Sequence, residues 1–408
     1  MQPSFCDDST VTPRRSSDQS LLLPIADPNF YAGDPFPHLA RLRAEAPLAW
    51  LEDPGCWIAS RHADILRISR DPETFISSKG ILLMDIGRDL PEIPGALLYV
   101  DPPEHARYRK LVNPGFSTAR IRTLEESIRV RARSLLSEIE SGELTDFVQS
   151  VALPFPLLVI ADLLGVPGDD WPRFAVWTDL MIGAASGITP ESEAALIEMA
   201  TYFLDLVAER RRDPSDDLVS MLCNIEVDGE RLDDAELMMF YGQLLVAGNE
   251  TTRNLVSGTF VAMSEHPDQW SALRADPSSI PAAVEEALRW TTPVISFMRT
   301  ATRNIDLNGA DIRSGDPVLM LYSSANRDES VFGETAEEFD ITRSPNPHVS
   351  LGFGEHFCLG AVLARLEARV ILEEAASAFV KIEPAGEVER LASGVIAGVV
   401  SAPLRLTR

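Results

Sequence analysis

The sequence predicts a mainly α-helical protein carrying a small β-sheet subdomain. Three observations lead there. Apolar residues recur at helical spacing through 119–222, 233–264, 280–290 and the segment after 358. Strand-like runs are short and few, at 47–51, 55–59, 297–302, 318–321 and within 380–408. Hydrophobic residues make up 45% of the 408 but aromatics only 7%, so the core is built largely from Ala- and Leu-type side chains, which favour helix.

Residues 1–20 are polar and Ser/Asp-rich, the composition of a disordered tail. Residues 21–408 read as a single domain, since no repeat, linker or compositional break divides them. Pro35-Phe36-Pro37-His38 leads into a helix over 39–45. Two strands, 47–51 and 55–59, flank a turn at Glu52-Asp53-Pro54, and a helix follows over 62–69. From there to Val100 the pattern is a loop rich in apolar residues, among them Ile81, Met84 and Ile93; a long apolar loop is more often functional than idle.

Asp101 and two prolines open the next helix. His105 and Arg109, four apart, share one face of it, suited to a carboxylate or phosphate or else simply a solvated basic face. The longest helical pattern, 233–264, would span ~45 Å. In its middle lies Ala247-Gly248-Asn249-Glu250-Thr251. A mid-helix glycine costs about 1 kcal/mol against alanine, and a buried glutamate costs more unless paired. This polar insert is therefore either an exposed stripe or a functional site. On the 280–290 helix, Glu286 and Arg289 stand at ion-pair spacing. The turn Asn308-Gly309 falls between the strands at 297–302 and 318–321.

The net charge is −26, from 36 Lys and Arg against 62 Asp and Glu, which disfavours nucleic acid or an anionic membrane as a partner. Cys6, Cys56, Cys223 and Cys358 show no disulfide framework, as expected of a reducing cytoplasm. No apolar run reaches membrane-spanning length, and 21–26 is too short for a signal peptide, so a cytoplasmic protein without a membrane anchor is expected.

The stretch with most chemistry is Leu351-Gly352-Phe353-Gly354-Glu355-His356-Phe357-Cys358-Leu359-Gly360. Leu359, Val362, Leu363, Leu366 and Val370 follow at helical spacing, which puts Cys358 at or just before a helix N-terminus. The dipole there favours a thiolate, a nucleophile or a metal ligand. Gly352 and Gly354 allow a tight loop that aims N–H groups at the sulfur, and Gly360 leaves room for a flat group. Taken alone, a cysteine on an apolar helix is more often a small core residue. Zinc, with His356 and His348 nearby, lacks the paired cysteine spacing of structural sites.

Taken in order, these motifs resemble the cytochrome P450 family, specifically its soluble bacterial haem-thiolate monooxygenases, over residues 27–408. The resemblance implies that family's fold, in which a long distal helix and a cysteine loop sandwich haem b. It implies Cys358 as the iron ligand and Glu250 with Thr251 as an acid–alcohol pair that delivers protons for the oxygen chemistry. His105, Arg109, Arg299, His356 and His348 would meet the haem propionates, and Glu286, Arg289 and Arg343 would form a buried structural network. Leu351 departs from the family's usual Phe, and Glu250 stands for its frequent Asp.

The implied activity is insertion of one oxygen atom from O2 into a C–H bond of a lipophilic molecule, such as a terpenoid, a steroid or a fatty chain. Electrons would come from a separate ferredoxin and its NAD(P)H-dependent reductase, docking on a basic island at Arg107, Arg109 and Lys110. The pocket is expected from loop 81–98 with Met84, and from Ala247, Val294, Ile295, Ser296 and Phe297, with Ser296 placing one hydrogen bond. Two rival classes are a peroxide-driven peroxygenase, which normally lacks the acid–alcohol pair, and a haem sensor, which needs a signalling module.

Overall fold

The computed structural model describes residues 18–184 and 189–408. The first 17 residues of the expected tail lie outside that range. Residues 18–20 do not continue a tail: Asp18 caps the short helix α1 (Gln19–Leu22), and the Gln19 side chain bonds Trp50 O. Helix α2 (Phe36–Glu45) leads into strands β1 (Leu48–Leu51) and β2 (Cys56–Ala59), which pair antiparallel as the turn between them requires. Helix α3 (His62–Ser69) is followed by the short strand β3 (Phe75–Ile76) and then by loop 77–100, interrupted only by single 3-10 turns.

Helix α4 (Glu104–Val112) begins after two prolines, as expected, but Asp101 does not cap it. The Asp101 carboxylate instead accepts the backbone N–H groups of Ser77 and Ser78, fixing loop 77–100 to the start of α4. Helices α5 (Glu125–Ser137), α6 (Pro154–Leu164), α7 (Trp171–Ala184) and α8 (Pro190–Arg212) realise the helical region, with strand β4 (Leu144–Asp146) between the first two.

The longest helix, α9 (Asp234–Glu265), has 32 residues. Its start is fixed by a capping box: the Asp233 side chain accepts the Glu236 N–H, and the Glu236 side chain accepts the Asp233 N–H. Most of its length is buried against the rest of the fold. It runs unbroken through Gly248, where a Cβ would stand 3.2 Å from Ile160 Cδ1 of α6. The glycine thus permits close helix crossing as well as the polar insert beside it.

Helix α10 (Ile280–Thr291) precedes strands β5 (Ser296–Ala301) and β6 (Pro317–Leu321). The Asn308-Gly309 turn belongs to a separate small hairpin, Ile305–Leu307 with Ala310–Ile312, and Asn308 takes the positive φ of 53° that such a turn requires. Helix α11 (Ala361–Ala378) follows the cysteine loop, and strands β7 (Lys381–Pro384) and β8 (Pro403–Thr407) close the chain. The larger sheet has the order β1-β2-β6-β5-β3, and the smaller β4-β8-β7. The sheets are subsidiary to the helices, as the sequence predicts.

Candidate active site

Cys358 lies three residues before α11, with Gly360 as the N-cap. Its N–H donates to Leu351 O at 2.9 Å, closing the loop on itself, and Leu351 packs on the main core. The N–H aimed at the sulfur is that of Gly360. Gly352 and Gly354 do not supply it, contrary to expectation. The Gly352 N–H goes to Val349 O, and Gly354 (φ 74°) presses on the Ser69 carbonyl at the end of α3, where no side chain fits. Burial raises the thiol pKa, while the Gly360 N–H, Arg109 and Arg365 oppose it. A Cβ at Gly360 would meet nothing nearer than the sulfur, 4.0 Å away, so the protein leaves this face of the helix start clear.

Beside the loop, His105, Arg109, Arg299 and His356 converge. The rings of His105 and His356 lie 4.1 Å apart, and Ser77 Oγ is 3.2 Å from His356 Nε2. Burial, then Arg109 and Arg299, hold His105 down at about 4; burial, then Arg299, His105 and Arg109, hold His356 at about 2. Buried His105 Nε2 has no hydrogen-bond partner among the described residues. Among the described residues Arg299, also buried, bonds only Met298 O, and Arg109 only Phe357 O. Asp101, the one carboxylate among the described residues near enough to act on His105 and Arg299, is taken by the N–H groups of Ser77 and Ser78. Donors gathered without a counter-charge fit a ligand that brings carboxylates of its own. His348 does not join them; its Nε2 lies 3.0 Å from Glu285, which also takes two bonds from Arg365.

On α9, Thr251 and Glu250 face different ways. Thr251 is half-buried, and its hydroxyl donates to Ala247 O at 2.6 Å. Ala247 is exposed although it sits in the middle of an otherwise enclosed helix, so this face borders open space. Glu250 is 2% exposed. Arg253 donates to its Oε2 at 2.6 Å, while buried Oε1 has no hydrogen bond among the described residues, and burial raises its pKa. The expected acid–alcohol pair is adjacent in sequence but not hydrogen-bonded.

In the expected ion network Glu286 and Arg289 are fully buried and Arg343 is partly buried, and all three are bonded. Arg289 gives two bonds to Glu286, at 2.8 and 2.7 Å, and its other donors go to the carbonyls of Asn326, Ala336 and Glu338. Glu286 also accepts from Arg343 Nε, Asn346 Nδ2 and the Asp340 N–H. Asn326 carries the order onward, bonding Thr292, Ser350 and the Val349 N–H just ahead of the cysteine loop.

The cytochrome P450 family model matches residues 141–403 of this chain. A putative cytochrome P450 of Mycobacterium tuberculosis is 42% identical over 85% of this chain and 88% of its own. This chain belongs to the cytochrome P450 family. Steroid C26-monooxygenase of Mycolicibacterium smegmatis is 36% identical to this P450 over 90% of this chain and 89% of its own. A Mycobacterium marinum cytochrome P450 solved in complex with pseudoionone superposes with a TM-score of 0.86 at 36% identity, covering 97% of this chain and all of the other. The chain is a cytochrome P450 monooxygenase, a haem-iron enzyme, and its cofactor is haem b. The clear face at Gly360, the sulfur and the carboxylate-free donors fit that cofactor.

Other expectations about this P450 change. Arg107 is bonded to Glu104, Glu230 and Glu236, and Lys110 to Asp228, so neither forms a free basic island. Arg70 and Arg109 make no ion pair among the described residues; Arg70 stacks 4.7 Å from the centre of the exposed Phe353 ring. Of the expected pocket residues, Met84 and Ala247 are exposed and Val294 and Phe297 partly buried, whereas Ile295 and Ser296 are buried. The Ser296 hydroxyl donates to Gly394 O, so its proton is already committed. Sequence reasoning missed Gln243, a polar residue on the same face of α9 as Ala247 and Thr251, whose four-residue spacing in the sequence would have found it. Among the described residues, no helix is long and apolar enough to cross a membrane.

Proposed function

We propose that this P450 hydroxylates a lipophilic small molecule of the terpenoid, steroid or fatty-chain class, in the cytoplasm, with electrons from a separate ferredoxin and its reductase. The observation that carries the cofactor assignment is the convergence of His105, Arg109, Arg299 and His356 (which stands two residues before Cys358 in sequence), with no carboxylate among the described residues free to neutralise them. Haem b, when bound, supplies reductive activation of dioxygen and transfer of one oxygen atom to a C–H bond. Cys358 holds the iron as thiolate, helped by the Gly360 N–H and by Arg109 and Arg365. The four donors bind the propionates. Glu250, kept closer to its protonated form by burial, is the proton source. Thr251, whose own proton is held by Ala247 O, offers its oxygen to position a water.

The apolar residues Met84, Val294 and Phe297, none of them fully buried, support a lipophilic substrate, as does the relationship to a steroid monooxygenase. The ferredoxin docks over Arg70, Phe353 and Phe357, where a cation without an ion pair among the described residues flanks exposed aromatic rings. Reversing Arg70 to Glu should slow reduction and leave substrate affinity unchanged; altered affinity with normal reduction would move the docking site.

The central test is spectroscopic. Carbon monoxide added to the reduced holoenzyme should give the red-shifted Soret band of thiolate ligation, and Cys358→His should abolish that band while haem stays bound. A wild-type spectrum lacking the band would overturn the Cys358 assignment. Turnover of steroid and terpenoid panels with a ferredoxin system, against peroxide alone, separates the monooxygenase from a peroxygenase.

A further inference from the structure

We propose that Gln243 is the polar anchor of the substrate pocket, accepting a hydrogen bond from a hydroxyl at the end of the substrate remote from the oxidised carbon. The inference rests on the monooxygenase reading above and adds to it the polar end that the substrate carries.

Gln243 Nε2 lies 2.7 Å from Gly95 O and 3.2 Å from Met239 O. Two carbonyls around one terminal atom fix which end of the amide is the NH2, because only that end donates. Both amide protons are thereby used, and Oε1 must face elsewhere. No donor among the described residues reaches Oε1, and it is not among the buried unpartnered atoms, so it is accessible.

Its place on α9 gives the accessible oxygen meaning. Met239, Gln243, Ala247 and Thr251 recur every four residues, and all are half-buried or exposed on a helix whose other sides are packed. Gln243 is therefore two turns, or ~12 Å, along the helix from Thr251. The strip between them carries only side chains without donors, so Oε1 is an acceptor set in an apolar wall. Such an acceptor, left dry by a hydrocarbon ligand, loses its water without replacement, whereas a hydroxyl restores the bond.

The amide is also held rigidly. Gly95 has φ 79°, and a Cβ there would strike the Glu236 backbone of α9, so loop 77–100 crosses the helix at this point in close contact. Tyr108 donates to Glu236 and accepts the Gly95 N–H, locking the crossing from the other side. Gln243 thus has two separable tasks, stapling the loop through Nε2 and presenting Oε1.

The test uses holoenzyme and the pair farnesol and farnesyl methyl ether, which share one carbon skeleton but differ in the ability to donate. Affinity is read from the substrate-induced Soret shift, and products are mapped by position. Wild type should bind the alcohol about tenfold tighter than the ether and oxidise it at the end remote from oxygen. Gln243→Leu should erase the preference and scatter the products. If Gln243 only staples the loop, the substitution weakens both ligands equally and the alcohol-to-ether ratio survives, which overturns the proposal. Equal binding of both ligands to wild type overturns it as well, with the monooxygenase reading intact. No spectral shift and no turnover with either ligand, or with the steroid and terpenoid panels, overturns the broader reading and the anchor with it.

Discussion

At the scale of single residues, the informative contrast is between Thr251 and its neighbour. A one-residue step turns the helix by about 100°, so adjacent side chains cannot share a direction. Thr251 is left on the open face and Glu250 in the packed one, bridged to Arg253. If Thr251 positions a water as proposed, Thr251→Ala should raise peroxide release relative to product; unchanged coupling would remove it from the proton path. Glu250→Gln should lower product formation by about a hundredfold while leaving haem content and substrate affinity alone. A normal rate would assign the carboxyl to packing only. The sequence names both residues but not their divergence, which depends on the register of α9 against α6. In the same way it names His348 by proximity to Cys358, yet three-dimensional pairing gives that ring to Glu285. Proximity along a chain ranks candidates poorly when an acid on another helix competes for the same donor.

At the scale of elements, the structure is arranged to hold one loop. Helix α10 contributes both Glu285 and Glu286, two adjacent acids that serve different networks. Glu286, with its partner Arg289, ties α10 to the segment 326–346 ahead of the loop, and Glu285 ties it to His348 and to Arg365 of α11 beyond the loop. Glu286→Gln leaves the Arg289 guanidinium buried with no anion beside it, at a cost of about 3–5 kcal/mol. The expected result is a large fall in Tm and poor haem retention; a Tm within a degree of wild type would show the network to be dispensable. The spacing of Glu286 and Arg289 is legible in the sequence, but the same spacing also describes an ordinary surface pair. Burial decides between the two, and burial follows from long-range packing. Element positions, by contrast, are read well where local chemistry dominates: His62–Ser69 and the capped start of α9 agree to within a residue.

At the scale of the whole molecule, charge and connectivity matter most. Burial pushes Glu285 up, but its bonds to His348 and Arg365 and the charges behind them win and hold it at about 2, from an ordinary 4.5. A depressed folded-state pKa stabilises the fold fully above 4.5, and that stability is lost as pH falls towards 2. Tm measured against pH should therefore drop across this window in wild type. Glu285→Gln should be less stable at neutral pH and show a shallower acid limb; parallel curves would refute the coupling. The net charge of −26 is legible from composition, and it correctly makes local cations conspicuous. It does not reveal that Arg107 and Lys110 are already neutralised by acids distant in sequence. Helix α4 turns one face, His105 and Arg109, to the proposed propionate site, and the other, Arg107 and Tyr108, to Glu236 in the first turn of α9. A helix gripped on both sides relays order from one to the other. Amide hydrogen exchange should thus be slow at 234–237 in the haem-loaded protein and markedly faster in the haem-free one, with protection returning on reconstitution. In a cell short of haem, the same end of α9 would be the first place a protease finds purchase.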